Sequence, residues 1–428
     1  MKFDYGKDGI EIALDSNWNT TTLLPKKQEV IRNPVNKIRN AIRNPLGCPP
    51  LETIIKKLVE LESVCIVVSD ATRPVPTHLI LRALMEELNI YGIEEKAIKI
   101  LVATGLHRPS RSDDLERILG KIAKSQVKVF NHNANDKKEL IQLEECSNNA
   151  PILINKHYFE SDLKILTGYV EPHFFFGFSG GFKSIVPGIA GADTILANHS
   201  AENIASRFAR FGVPENNPLV ENSNEISRKI GVDFAINICI NENHDITKIA
   251  AGDLEKIHEK LINFQVENVF KDIKSPFDIV VCGNGGFPLD LNLYQAVKSM
   301  AIAEMGVKKG GTIISVNECS EGIGIGQDKF KELIFSGMTP EDIYTKILSK
   351  EIVVADIWQI QVLARILMKS EVYIISTLND AEIGNIGLKS AETVEDAINE
   401  SLKKQGPGAK ILLLPNGPQV LPILKDKT

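Results

Sequence analysis

Short runs of β-branched and other apolar residues recur along this chain, each closing in a polar loop that carries glycine or proline. Val64-Cys65-Ile66-Val67-Val68 runs into Ser69-Asp70-Ala71-Thr72-Arg73-Pro74, and Ile98-Lys99-Ile100-Leu101-Val102-Ala103 into Thr104-Gly105-Leu106-His107-Arg108-Pro109. Asp162-Leu163-Lys164-Ile165-Leu166-Thr167 leads into Gly168-Tyr169-Val170-Glu171-Pro172-His173. Amphipathic stretches over 77–88 and 112–119 follow the first two loops. This alternation predicts an α/β fold. Ligands of α/β sheets bind beyond the carboxyl ends of the strands, so the three loops can converge on one pocket.

A length of 428 residues suits two or three domains. A polar connector over 270–276 precedes a second α/β unit, with strands over 277–281, 311–316 and 372–376 and helices over 291–305, 340–348 and 361–368. The reading is two α/β domains, 1–270 and 277–410, with the active site in the cleft between them. The last strand, 411–414, and the tail to 428 can return to either domain.

Composition excludes several classes. Apolar residues make up 43% and charged residues 24%, as in globular proteins. A formal net charge of −6 gives no footprint for nucleic acid. No apolar run reaches the length of a membrane span, and the first residues lack the regions of a signal peptide. Six cysteines are scattered without a C-x-x-C pair. A cytoplasmic, disulfide-free protein is expected.

The densest window runs from Gly168 to Ser184 and on to Asn198-His199. It places His173, Lys183 and His199 in glycine-rich sequence, where the backbone can take positive φ and approach a ligand closely, and where histidines can bind metal or carry protons. Gly177 to Lys183-Ser184 nearly matches a P-loop, but Phe182 stands where that loop requires glycine. Gly283-Asn284-Gly285-Gly286 is half a dinucleotide fingerprint without its third glycine or acidic partner. Tight packing at a domain interface explains it better.

Taken together, Asp70-Ala71-Thr72-Arg73-Pro74, Thr104-Gly105-x-His107, Glu171-Pro172-His173, Gly180-Gly181-x-Lys183-Ser184, Asn198-His199, the stretch from Pro288 through Gln295 to Lys298, and Asp356-Ile357-Trp358 resemble the nickel-dependent lactate racemase family, in order and over nearly the whole length. The resemblance implies a racemase or epimerase of 2-hydroxy acids, with lactate the default substrate. It also implies a nickel-pincer nucleotide, a pyridinium mononucleotide that holds nickel through two sulfur-bearing substituents and a ring carbon. By the same resemblance Lys183 joins that cofactor through a thioamide and His199 supplies a nickel ligand. His107 and His173 become the catalytic pair, and Asp70, Ala71, Thr72 and Arg73 the cofactor-binding stretch. Arg73, Gln295, Lys298 and Trp358 become substrate contacts. Dedicated cofactor-building enzymes are implied as partners. Phe182 departs from the pattern, which commonly has arginine there.

The chemistry fits these residue types. The C–H bond beside a carboxylate is only weakly acidic, whereas its loss as hydride leaves a stable 2-keto acid, and a pyridinium accepts hydride. One histidine then takes the hydroxyl proton, and return to the opposite face asks for a second. Arg73 and Lys298 suit a substrate carboxylate, and neutral imidazole suits nickel. Singly, each residue has an ordinary explanation: His78, His132, His157, His244 and His258 read as structural, Phe174-Phe175-Phe176 and Trp358 as core. Two other classes remain in view, a phosphoryl-transfer enzyme using Gly177–Ser184 and a non-catalytic nickel- or nucleotide-binding protein.

Overall fold

The computed structural model describes residues 1–58, 60–146, 150–354 and 357–425. Asp356 of the last motif lies outside them. The chain forms two compact units, Gln28–Val266 and a discontinuous one made of Met1–Lys27 and Glu267–Thr428.

In the Gln28–Val266 unit a six-stranded sheet runs in the order Ile246–Gly252, Phe234–Ile240, Leu163–Tyr169, Val64–Ser69, Ile98–Ala103, Lys128–Asn131. All neighbours are parallel except the first pair. Val64 to Val68 are fully buried. Strands covered on both faces read as unbroken apolar runs rather than alternating ones, and each such side chain contributes about 1.5–3 kcal/mol. The helix Thr77–Ile90 turns Ile80, Leu81, Leu84 and Leu88 into this core. On the same helix Glu87 is buried but bonded to Arg39, Arg43 and Tyr91.

The second unit repeats the plan with a parallel sheet ordered Leu388–Ser390, Glu371–Ile375, Val307–Val316, Phe277–Gly283, Lys410–Leu414, Asn19–Thr22. The helix Leu293–Gly306 is capped by Asn292, whose side-chain oxygen accepts from the Gln295 N–H at 3.0 Å. Such a cap fixes where the helix starts, and so where Gln295 and Lys298 emerge.

Two expectations about organisation need correction, and the place of the last strand, left open above, is now given. The division falls at Lys27/Gln28 and Val266/Glu267 rather than at 270 and 277, because Asn19–Thr22 pairs with Lys410–Leu414 and carries the N-terminal segment into the second unit. The 411–414 strand belongs to that unit, paired with Phe277–Gly283. The connector over 270–276 is not all loop: Phe270–Ile273 is a strand beside Leu421–Leu424. Among the described residues no helix is long and apolar enough to cross a membrane, and all six cysteines are free.

Candidate active site

Two adjacent parallel strands, Val64–Ser69 and Ile98–Ala103, end level with one another, Ser69 opposite Ala103. The loops that follow therefore leave the sheet side by side. They bring Asp70 Oδ2 to 2.7 Å from His107 Nδ1. Asp70 is 5% exposed and its other oxygen accepts from the Thr72 hydroxyl at 2.7 Å. Burial works against its charge, but the His107 hydrogen bond and the charges of His107 and Arg73 hold the carboxyl below its ordinary range. An ionised carboxylate can only accept, so His107 donates from Nδ1, and its neutral form carries the lone pair on Nε2. The His107 side chain is 50% exposed.

Arg73 lies in the same turn. Burial opposes its charge, but Tyr169, Asp70 and Glu171 around it hold the guanidinium above its usual value. Tyr169 ends its strand and donates its hydroxyl to Glu171. Burial, then the Glu171 charge, pushes that phenol well above its ordinary value. Neither Tyr169 nor Glu171 was given a role from sequence. A carboxylate two residues beyond a strand-end tyrosine was the signal, overshadowed by the neighbouring histidine. Ala71 and Thr72 stand in this turn as well, half-buried and exposed respectively.

His173 sits on a two-strand ribbon, Pro172–His173 against Gly177–Phe178. Its Nδ1 accepts from the Phe176 N–H at 3.3 Å, so its proton is on Nε2, the reverse of His107. Phe174, Phe175 and Phe176 are buried. The Phe175 ring stands edge-on to both His173 (4.6 Å) and His199 (5.3 Å). Lys183 Nζ lies 4.6 Å from the centre of the Phe176 ring. These aromatic faces gather His173, Lys183 and His199 around one apolar patch.

His199 ends the helix Ala192–Asn198 and is buried. Its Nδ1 donates to the Ile195 carbonyl at 3.2 Å, leaving the lone pair on Nε2. Burial, then the Lys183 charge, pushes this imidazole down to about 3. Asn198 Nδ2 is bonded to Leu219 O and Asn222 Oδ1 at 3.0 and 2.8 Å, which fixes the helix end.

The glycines of the window serve a different purpose from the one expected. A Cβ on Gly180 (φ +73°) would lie 2.6 Å from Tyr169 O, and one on Gly181 2.7 Å from the His258 ring. They admit the protein's own groups rather than a ligand. His258 donates from Nε2 to Ser179 O at 3.0 Å, and Phe182 is buried edge-on to its ring. Gly177–Phe178 is a ribbon strand and Gly181–Ser184 a 3₁₀ turn. A phosphate cradle instead needs a loop opening an α-helix, so the phosphoryl-transfer reading finds no support here. The Gly283–Gly286 turn packs on Asp4, Gly6 and Pro415 of its own unit.

Gln295, Lys298 and Trp358 belong to the other unit. The helix Ile357–Lys369 lies beside Leu293–Gly306 in the same direction: Gln359 Nε2 donates to Tyr294 O near the start, and Arg365 Nη2 meets Glu304 Oε2 at 2.7 Å near the end. Trp358, buried, thus stands at the same end as Gln295. The Gly283 turn holds that end too, since Asn284 Nδ2 donates to Gln295 O at 3.3 Å.

Comparison with known proteins decides the family. A lactate racemase N-terminal domain model matches residues 5–212, and a lactate racemase C-terminal domain model matches residues 273–421. The chain belongs to the lactate racemase family. The lactate racemase of Thermoanaerobacterium thermosaccharolyticum is 34% identical over 387 residues, 90% of this chain and 89% of that protein. That of Lactiplantibacillus plantarum is 35% identical over 382 residues, 89% of each. The solved lactate racemase apoprotein from T. thermosaccharolyticum superposes with a TM-score of 0.91 at 32% identity, covering 99% of both chains. A Thermotoga maritima protein at 21% identity (TM-score 0.68, covering 91% of this chain and 98% of that one) shares the fold. Family membership makes this chain an enzyme, an isomerase of the racemase class.

Proposed function

We propose that this protein racemises a 2-hydroxy acid, lactate by default, by reversible hydride transfer, and that His107 and His173 are its acid/base pair. The observation that carries the reading is their opposite tautomers. His107 holds its proton on Nδ1 against Asp70, and His173 accepts a backbone N–H at Nδ1. Nε2 of neutral His107 can therefore accept a proton, while the Nε2–H of His173 offers a hydrogen bond to a substrate oxygen. A racemase needs such a pair, since the enantiomers present their hydroxyl to different partners.

The residues also fit a nickel-pincer nucleotide. Nε2 of His199 carries a lone pair because Nδ1 is committed to Ile195 O, and neutral imidazole is a nickel ligand. Lys183 supplies the amine for a thioamide, and Asp70, Ala71, Thr72 and Arg73 line the cofactor. When bound, that group would supply a reversible two-electron acceptor for hydride.

The chain's own contribution is proton handling and placement. As the C2 hydrogen leaves, the hydroxyl proton of one enantiomer passes to His107 Nε2, and Asp70 stabilises the imidazolium that forms. For the other enantiomer His173 takes that part in the tautomer with its proton on Nδ1 and its lone pair on Nε2, which gives up the contact with the Phe176 N–H. Arg73, backed by Tyr169 and Glu171, orients the carboxylate, and Gln295, Lys298 and Trp358 are the second unit's substrate contacts. Six unpaired thiols support a cytoplasmic setting.

The test is turnover by protein matured with cofactor-building enzymes and nickel. His107→Ala and His173→Ala should each lose at least about a hundredfold in racemisation with nickel retained. Near-normal turnover in either removes it from the pair. His199→Ala should lose nickel first, and Lys183→Ala should carry no nucleotide-sized mass.

A further inference from the structure

The chemistry described above leaves one buried histidine unused. His132 is 1% exposed and follows the strand Lys128–Asn131. Its backbone N–H donates to Val102 O at 3.0 Å, and its carbonyl accepts from the Thr104 hydroxyl at 2.6 Å. Both backbone groups thus fasten it to the segment that carries His107. Its ring faces the other way. Nε2 lies 2.8 Å from the Ala190 carbonyl, which can only accept, so Nε2 bears the proton. Nδ1 accepts from Asn155 Nδ2 at 3.1 Å. Burial pushes this imidazole down to about 4, so the neutral tautomer persists through the neutral range.

Ala190 lies in the connection from the Lys183 turn to the helix Ala192–Asn198, whose end is His199. Two backbone bonds cross beside it: Gly105 N–H to Gly188 O and Asn155 N–H to Ile189 O, each at 3.0 Å. The His132 ring thus spans from the His107 loop to the one stretch of chain on which Lys183 and His199 both depend.

We propose that His132 is a positioning residue for the reaction, setting the separation of the His107 loop from the segment that joins Lys183 to His199. The proposal rests on the roles given to those three residues above. An error of about 1 Å between reacting groups costs on the order of a hundredfold in rate, so a rigid tie at this point controls turnover without touching substrate.

Two substitutions separate positioning from bulk stability. In His132→Gln the carboxamide reaches the place of Nε2 and still donates to Ala190 O. In His132→Asn it stays near Nδ1, keeping Asn155 but losing Ala190. Both should lower the melting temperature to a similar extent. In cofactor-free protein, the Gly105 and Asn155 amides should exchange at least about tenfold faster in the Asn variant and stay protected in the Gln variant. In loaded protein, kcat should fall at least about tenfold in the Asn variant alone, with KM and nickel content unchanged. Amide exchange unaltered in His132→Asn, or kcat that follows melting temperature alike in both variants, overturns the proposal. Ring-nitrogen NMR of the wild type needs no variant to fold, and a proton found on Nδ1 overturns it too. Wild-type protein that carries cofactor but does not racemise would instead remove the functional reading, with the exchange experiment still deciding the tie.

Discussion

At the scale of single residues, what distinguishes this site is which nitrogen of each histidine is already committed. Asp70 commits Nδ1 of His107, the Phe176 N–H commits Nδ1 of His173, and Ile195 O commits Nδ1 of His199. Asp70→Asn puts a carboxamide in that place, removing the charge that stabilises an imidazolium and permitting the wrong tautomer. Racemisation should fall by about 10²–10⁴-fold with nickel content unchanged, as read by steady-state kinetics and metal analysis. His132 gives a pH prediction. Its folded value of about 4 lies below the ordinary 6.5, so the unfolded chain binds more protons between those limits. Its contribution is fully present above about pH 6.5 and is lost as pH falls toward 4, by a few kcal/mol. Urea unfolding at pH 7 and pH 4.5 should show a steeper loss in wild type than in His132→Gln; equal slopes would contradict it. The histidines, Lys183 and Asp70 were legible in sequence because they stand in ordered motifs. Partners such as the Phe176 N–H and the Ile195 carbonyl were not, nor were Asn155 and Ala190 around His132, since they look like any strand or loop residue until the chain is folded.

At the scale of elements, the sequence signal tracked burial on two faces. The strand Ile98–Ala103 and the helix Pro340–Leu348 fall where the sequence reading put them, and a capping box between Thr339 and Asp342 holds the start of that helix. Phe234–Ile240 was harder to read because Asn237 interrupts its apolar run; that side chain accepts from the Gly181 N–H at 3.2 Å and so supports the Lys183 turn. Asn19–Thr22 gave no signal, being a polar edge strand exposed on alternate residues. The glycine-rich turn was found but misread, since its glycines serve close packing. Gly180→Ala, at φ +73° and 2.6 Å from Tyr169 O, should cost at least about 1–3 kcal/mol and lower turnover, measured by denaturation and kinetics together. Glu87 joins two helices through Arg39, Arg43 and Tyr91 at 2.7, 2.8 and 2.6 Å. Both arginines keep some solvent contact, so Glu87→Ala should cost about 2 kcal/mol while leaving kcat per folded molecule unchanged. A large kcat change would show that this cluster is coupled to the site.

At the scale of the whole molecule, each unit is built on a sheet of the same plan and each carries some of the proposed site residues. The Gln28–Val266 unit carries Asp70, His107, His173, Lys183 and His199, and the discontinuous unit carries Gln295, Lys298 and Trp358. That the first residues pair with Lys410–Leu414 was unreadable, because a parallel pairing between opposite ends of a chain leaves no local pattern. The family was legible because its motifs occur in order, and models of its two domains match the chain over 5–212 and 273–421. The central claim is that a 2-hydroxy acid is inverted at C2 by the two histidines without net oxidation. Its most direct test is a single lactate enantiomer incubated with nickel- and nucleotide-loaded protein, followed by chiral chromatography alongside a pyruvate assay. The account predicts approach to an equal mixture of enantiomers with no pyruvate beyond one equivalent of enzyme. Unchanged enantiomer on fully loaded protein, or pyruvate accumulating over many turnovers, would contradict it.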